Sequence, residues 1–318
     1  MSGLDSRPME NPADAVRSRG MAPGLLKRTS CPLCGGTDLR PALSLRDRSL
    51  LTCAGCGVKV TDVYSDGEAL ADYYTAIEAH HGKLGTTLAD RDGALRAIAR
   101  DQADRMEQLC GPRRFGRFLE VGCSRGHLLE EMQARGWDVS GLEVSRSSSA
   151  EARARTQLPV HCGTPEDAPF EPASFHRIAM FDVLEHLAEP RRTLLAIEKL
   201  LAPGGELLLS TVNEDWTLVP AFLAAFRIAP ERTADLRDEM YEGQHYVYFG
   251  ANNVGRMLEQ AGLTTHAVRP IEPLSTRFFV HQYGWKRRLM LLGMVQADRL
   301  LRSSRKMVVL AKKPGLRF

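Results

Sequence analysis

One stretch constrains the fold more than any other: Arg117-Phe118-Leu119-Glu120-Val121-Gly122-Cys123-Ser124-Arg125-Gly126-His127-Leu128-Leu129. Phe118, Leu119 and Val121 suit a strand buried on both faces of a parallel sheet. Gly122 and Gly126 let the backbone turn sharply and approach a ligand with no Cβ in the way. Leu128, Leu129 and Met132 then recur at helical spacing. A helix that begins after such a turn points free N–H groups at a polar or anionic ligand. Glycines also occur in plain strand-to-helix turns, so the reading needs a second residue. A second strand, from Gly136 onward, supplies one by ending in Glu143, seventeen residues after Gly126. Nucleotide-binding folds place an acid near that distance to hold ribose hydroxyls.

At 318 residues the chain has room for one large domain and a small one. A hydrophobic content of 43% allows a real core. No apolar run approaches the roughly 18–20 residues of a membrane span, and the N-terminus has no apolar signal core. The expectation is a cytoplasmic protein. The net charge of +3 is unevenly spread: residues 285–318 carry ten Lys/Arg against the single acid Asp298. The body of the chain is therefore acidic, which argues against a broad nucleic-acid footprint.

Four of the seven cysteines form two knuckles, Cys31-x-x-Cys34 and Cys53-x-x-Cys56, with eighteen residues between them. Two such knuckles supply the four thiolates that a structural Zn²⁺ takes tetrahedrally. The pattern points to a reducing compartment rather than a disulfide framework. The alternative is four unrelated cysteines. The chain then divides into a disordered arm (1–28), a zinc ribbon (29–62) with strands near 40–45 and 50–52, a connector (63–92) and a large domain (93–318). The connector carries Tyr64, Tyr73, Tyr74, His80 and His81, read as packing between domains or as reaching a substrate pocket. A helix over 94–109 leads into the first strand of the large domain.

In the large domain strands and helices alternate, which implies a parallel sheet with helices on both faces. Residues 212–250 form a long insert rich in aromatic residues, either a substrate lid or packing. Residues 285–305 read as a basic amphipathic helix with Leu289, Leu292, Val295 and Leu300 as its apolar stripe. A solvated helix face is expected, with membrane-surface contact as the alternative.

The stretch Glu120-Val121-Gly122-Cys123-Ser124-Arg125-Gly126 resembles the first motif of class I S-adenosylmethionine (SAM)-dependent methyltransferases. Further resemblances follow in order: Phe181 to Leu187 to the segment after the fourth strand, Leu200 to Leu209 to the Pro-Gly-Gly turn into the fifth. Gln244 to Phe249 and Leu258 to Leu263 then resemble the region of the next helix. Together they cover roughly residues 93–313. The resemblance implies an α/β fold with a Rossmann-like seven-stranded sheet, its last two strands an antiparallel hairpin at the edge. Strands are expected near 117–121, 138–142, 158–162, 177–181, 205–211, 263–269 and 306–312. It also implies that Glu120, Gly122, Cys123, Gly126, Glu143 and Val144 hold SAM. Asp182 would stand near the methionine end, with Thr164 and Glu166 in the loop that holds adenine. Three residues depart from the pattern. Ser124 replaces a glycine, which requires it to keep a negative φ. Pro165 has no N–H to offer adenine, and His176 stands where an Asp is common.

Asp182-x-x-Glu185-His186 with distant His245 resembles a Glu-x-x-Glu-His plus His cluster in ubiquinone-type O-methyltransferases and small-RNA 2′-O-methyltransferases. There the cluster holds a divalent cation, so a cation at Asp182, Glu185, His186 and His245 is one expectation. His186 or His245 as a general base with a pKa near 6.5 is another, and plain packing a third. Glu185, His186 and His245 are the catalytic candidates. The leading function is methyl transfer from SAM to a small molecule of natural-product or sugar type. The layout also resembles zinc-ribbon methyltransferases that C-methylate deoxysugars. The alternatives are an RNA methyltransferase that uses the ribbon to grip RNA, and a non-catalytic scaffold.

Overall fold

The computed structural model describes residues 25–65, 88–111, 116–241, 244–271 and 285–315. Most of the expected arm, the connector residues Tyr73, Tyr74, His80 and His81, and Gly243 lie outside them.

The N-terminal strands are β1 (Leu25–Lys27), β2 (Leu39–Ser44), β3 (Ser49–Cys53), β4 (Lys59–Thr61) and β5 (Val63–Ser65). β2, β3 and β4 form an antiparallel meander, and β1 pairs antiparallel with β5. The arm therefore ends sooner than expected. Residues 25–27 are held by the β5 ladder, and Arg28 is buried with its amide donating to the Asp62 carbonyl.

The large domain follows: α1 (Leu88–Cys110), β6 (Arg117–Val121), α2 (His127–Ala134), β7 (Asp138–Glu143), α3 (Arg146–Thr156), β8 (Val160–Cys162) and β9 (Phe175–Phe181). A short 3₁₀ turn (Leu184–His186) leads to α4 (Pro190–Leu200) and β10 (Leu201–Val212). Then come α5 (Val219–Ile228), α6 (Ala234–Met240), β11 (Val247–Tyr248), α7 (Ala251–Gln260), β12 (Thr264–Ile271), α8 (Trp285–Leu301) and β13 (Lys306–Lys312).

The main sheet has the order β12-β13-β10-β9-β6-β7-β8. β6 to β10 are parallel, and β13 runs antiparallel to both β10 and β12. The expected strands and edge hairpin are present. Alternation along β6 divides the core. Leu119 and Val121 pack in one cluster with residues of α4 and α7, while Phe118 packs in another with Met106, Leu129 and Met132. From β6 the chain progresses outward through β7 and β8, then returns to β9 and β10 on the other side. The crevice at that switch, beyond the carboxyl ends of β6 and β9, is where open α/β sheets bind ligands.

The N-terminal strands are not a separate unit. β11, from the 212–250 insert, adds antiparallel to β4, with Val247 opposite Val60 and Tyr248 opposite Lys59. It pairs an edge that the three-stranded meander would leave open. Cys31, Leu33, Val58 and Val60 share one core cluster with Tyr246, Val247 and Phe249. The aromatic residues of the insert serve packing: Trp216, Phe226, Tyr241 and Tyr248 are buried in a cluster with Leu45 and Leu50. On α8, Leu289, Leu292 and Leu300 are 60%, 43% and 84% exposed, so the stripe faces outward. Among the described residues no helix is long and apolar enough to cross a membrane.

Candidate active site

β6 ends in the glycine turn, and Gly122 and Gly126 both take positive φ, 76° and 78°. Gly126 directly precedes α2. A Cβ on Gly122 would lie 2.5 Å from Val183 Cγ2, so only glycine lets this turn touch the segment after β9. Ser124 also takes positive φ, 45°, which corrects the expectation of a negative value. Left-handed backbone is costly for a serine. Its amide is held there by Glu143 Oε2 at 2.8 Å, while Oε1 accepts from the Ser145 amide at 2.8 Å. Glu143 is thus buried at the end of β7 as a bridge to the glycine turn.

Glu120 lies on the same front. It is buried, and its Oε2 accepts no hydrogen bond from the described residues. Burial, with the nearby Glu143 charge second, pushes its carboxyl up to about 8. A buried carboxyl oxygen with no partner among those residues fits the ammonium of the methionine end of SAM, which the motif implies. Cys123 is buried and packs toward Gly141, where an added Cβ would lie 2.8 Å from its Sγ. The Val144 carbonyl faces Cys162 Sγ at 3.8 Å. In the next loop Thr164 donates to Asp167 Oδ1 through both N, 2.6 Å, and Oγ1, 3.0 Å. Glu166 Oε1 accepts from Thr193 Oγ1 of α4 at 2.7 Å, so that carboxylate ties the loop to α4. His176 Nδ1 accepts from the Arg117 amide at 3.1 Å, far along the strands from the crevice.

The segment after β9 carries the other candidates. Asp182 has φ 55°. Its Oδ1 accepts from Ser210 Oγ at 2.7 Å, and its Oδ2 pairs with the Lys306 ammonium. Burial opposes its charge, but Lys306 and Ser210 outweigh it and hold the carboxyl below its usual value. Glu185 is buried and accepts from Thr211 Oγ1 at 2.8 Å. Burial and then Asp182 raise its carboxyl to about 8. The rings of His186 and His245 meet edge to face, centroids 4.6 Å apart. His186 Nδ1 lies 2.9 Å from the Gln244 carbonyl. A carbonyl only accepts, so the neutral ring carries its proton on Nδ1 and presents Nε2 as an acceptor.

Glu185, His186 and His245 bring one ligand atom each within 4.8 Å of one another. Three of the four expected cation ligands thus come together, while Asp182 is engaged with Ser210 and the Lys306 ammonium beside them. The histidines are not poised near neutrality, which corrects the expectation of a pKa of about 6.5. Burial lowers His186 to about 4 and His245 well below its ordinary value, with His186 itself the next cause for His245. Lys306 was not foreseen. It lies far from Asp182 in the chain, and only the β10–β13 register, which sets it opposite Val212, brings it to the crevice.

The four knuckle cysteines assemble as expected, every Sγ within 4.8 Å of the others. Cys31 to Cys56 and Cys34 to Cys53 are both 3.5 Å. Tetrahedral Zn–S bonds of about 2.3 Å set sulfurs about 3.8 Å apart, so the cluster fits one ion. Gly35 and Gly57, at φ 72° and 74°, make the turn past each knuckle.

The state of Glu120 gives a test. With a carboxyl near 8 the donor-free protein is mostly protonated there at pH 7. If Glu120 holds the donor's ammonium it must do so as the carboxylate, and SAM binding would then release close to one proton. Apparent affinity should rise with pH by up to about tenfold per unit until about pH 8. Calorimetry in buffers of different ionisation heat measures the proton count. A count near zero in the natural protein, or an unchanged count in Glu120→Gln, would refute the assignment.

Known proteins resemble the chain in the same terms. The family described as "Methyltransferase domain" matches residues 92–268. The ubiquinone biosynthesis O-methyltransferase of Idiomarina loihiensis is 35% identical over 108 residues, 32% of this chain and 44% of that protein. That of Aromatoleum aromaticum is 30% identical over 176 residues, 52% of this chain and 69% of that protein. Among solved structures, the [4+2]-cyclase SpnF shares the fold with a TM-score of 0.51 and 16% identity, covering 80% of this chain and 98% of that one. With more than half of its residues matched, from α1 through β12, this chain belongs to the methyltransferase-domain family and is a SAM-dependent methyltransferase.

Proposed function

We propose that the protein transfers the methyl group of SAM to a hydroxyl oxygen of a small-molecule acceptor held over Asp182, Glu185, His186 and His245. The observation that carries this reading is the contact of Gly122 with Val183. It sets the glycine turn against the segment bearing Asp182, Glu185 and His186, which supports a donor and an acceptor sharing one crevice. The ubiquinone O-methyltransferase relatives support oxygen as the nucleophile.

SAM supplies an electrophilic methyl on a sulfonium, and the protein's part is mainly positioning. Glu120 and Glu143 would hold the donor at its ammonium and ribose ends, with Gly122 and Gly126 giving close backbone approach. On the acceptor side, His186 Nε2 accepts a hydrogen bond from the hydroxyl and orients its lone pair. Burial makes full protonation of the ring unfavourable in the resting protein. The proton therefore moves only as the oxygen acidifies during attack. Lys306 keeps Asp182 ionised at the edge of the same recess.

His186→Ala or His245→Ala should lower turnover about 10²–10⁴-fold while SAM still binds. Near-normal turnover in both would remove the histidines from the chemistry. With the cysteine-bound zinc left in place, turnover should not require added Mg²⁺ or Mn²⁺. Activity lost in EDTA and restored by Mg²⁺ or Mn²⁺ would place a cation at Glu185, His186 and His245 after all.

The reading includes one structural Zn²⁺ on Cys31, Cys34, Cys53 and Cys56, supported by the sulfur spacing. The ion would supply folding energy to the meander rather than chemistry, because its four ligands close the coordination sphere. Elemental analysis should find one zinc per chain, lost in Cys31→Ser or Cys53→Ser. A metal-free protein with paired disulfides would rule it out.

A further inference from the structure

Thr61, at the end of β4, is fully buried. Its amide donates to the Tyr246 carbonyl at 3.1 Å, and the Tyr246 amide donates to the Glu185 carbonyl at 2.7 Å. Its carbonyl accepts from Arg28 Nε at 3.2 Å. The two terminal nitrogens of Arg28 each donate to the Ala188 carbonyl at 3.5 Å, the long end of hydrogen bonding. Hydrogen bonds thus leave Thr61 in two directions and return to one short segment, at Glu185 and at Ala188. His186 lies between those two ends, and His245 directly precedes Tyr246.

Arg28 suits this bracing. It is 5% exposed, its guanidinium lies 4.6 Å over the Tyr64 ring, and its own amide is held by the Asp62 carbonyl at 2.8 Å. A guanidinium stays charged and projects its donors in fixed directions, so one side chain reaches two carbonyls on different segments. The donor-side residues Glu120, Gly122 and Glu143 stand on β6, β7 and the turn after β6. The bracing therefore acts on one half of the crevice.

We propose that Arg28 and Thr61, residues of the cysteine-bearing module, are positioning residues for the acceptor side of the site. They hold the 185–188 and 245–246 segments in register, so that the His186 and His245 rings face one another beside Glu185. The proposal rests on reading those histidines as acceptor-side residues. It makes the N-terminal module a working part of the site rather than an appendage.

Amide hydrogen exchange on the full chain, with SAM calorimetry alongside, tests it. Arg28→Met should raise exchange at the Thr61 and Tyr246 amides by about tenfold or more, since hydrogen bonds to charged groups limit local opening. SAM affinity and the KM for SAM should stay within about twofold while kcat falls at least about fivefold, and an unchanged kcat with raised exchange would leave Arg28 structural and overturn the proposal. Arg28→Lys, which keeps the charge but loses the fork, should show a smaller rise at the same amides. Unchanged exchange in Arg28→Met overturns the proposal. So does an equal rise across β6 and β7 with loss of SAM binding, because Arg28 would then prop the whole fold. If Arg28→Met does not fold, Arg28→Lys is judged by the same criteria. Normal turnover in the histidine variants would sink the acceptor-site reading separately, since exchange does not depend on activity.

Discussion

The close approach of Gly122 to Val183 is the constraint on which the rest of the site depends. It arises because β6 and β9 are hydrogen-bonded neighbours, so the turns leaving them emerge side by side. A side chain at Gly122 would push the two turns apart, and the glycine turn would no longer border Asp182, Glu185 and His186. The same turn stores some strain at Ser124. The bond from its amide to Glu143 accounts for why a serine tolerates that backbone, since a buried carboxylate oxygen accepts strongly from an N–H. Glu143 therefore has a structural duty beside any duty toward ribose.

Charge in the crevice is arranged by burial. Glu120 and Glu185 are each driven toward the neutral acid, and the two histidines toward the neutral ring. Asp182 is the exception, because Lys306 and Ser210 engage its carboxylate. This face of the crevice thus offers neutral hydrogen-bonding groups around one ion pair. Because a [4+2]-cyclase shares this fold, the sheet alone does not specify a reaction. The reaction is set by which side chains the crevice presents.

The N-terminal module shows how a small cysteine-bearing sheet is built into a larger domain. Its edge strand accepts β11, its apolar residues enter the main core, and the Lys59–Glu214 and Arg46–Asp238 pairs add contacts between the same two regions. Removing an exposed edge and burying apolar surface both favour this docking. Its consequence is that the segment carrying His245 is held from the module side.

Much of this was legible in the sequence because it rests on local chemistry. The glycine turn, the acid at 143, the alternating strands and the paired cysteines each follow from residue type and spacing along one short stretch. Their assembly in the structure needs no long-range information beyond a parallel sheet. Other features were not legible. Lys306 meets Asp182, and Ser210 and Thr211 meet Asp182 and Glu185, only because strand register sets them together. The burial that lowers the histidines depends on elements packed from all sides. Arg28 read as the end of an unstructured arm, since nothing in its neighbours announces a strand pairing with 63–65. The sequence by itself determined the α/β fold class and the cysteine cluster, through periodicity, fixed local spacing and the ordered motifs that carry the family resemblance. Only the tertiary structure decided how the segments after β9 and before β11 are charged and held, because those properties come from hydrogen bonds and burial between segments far apart in the chain.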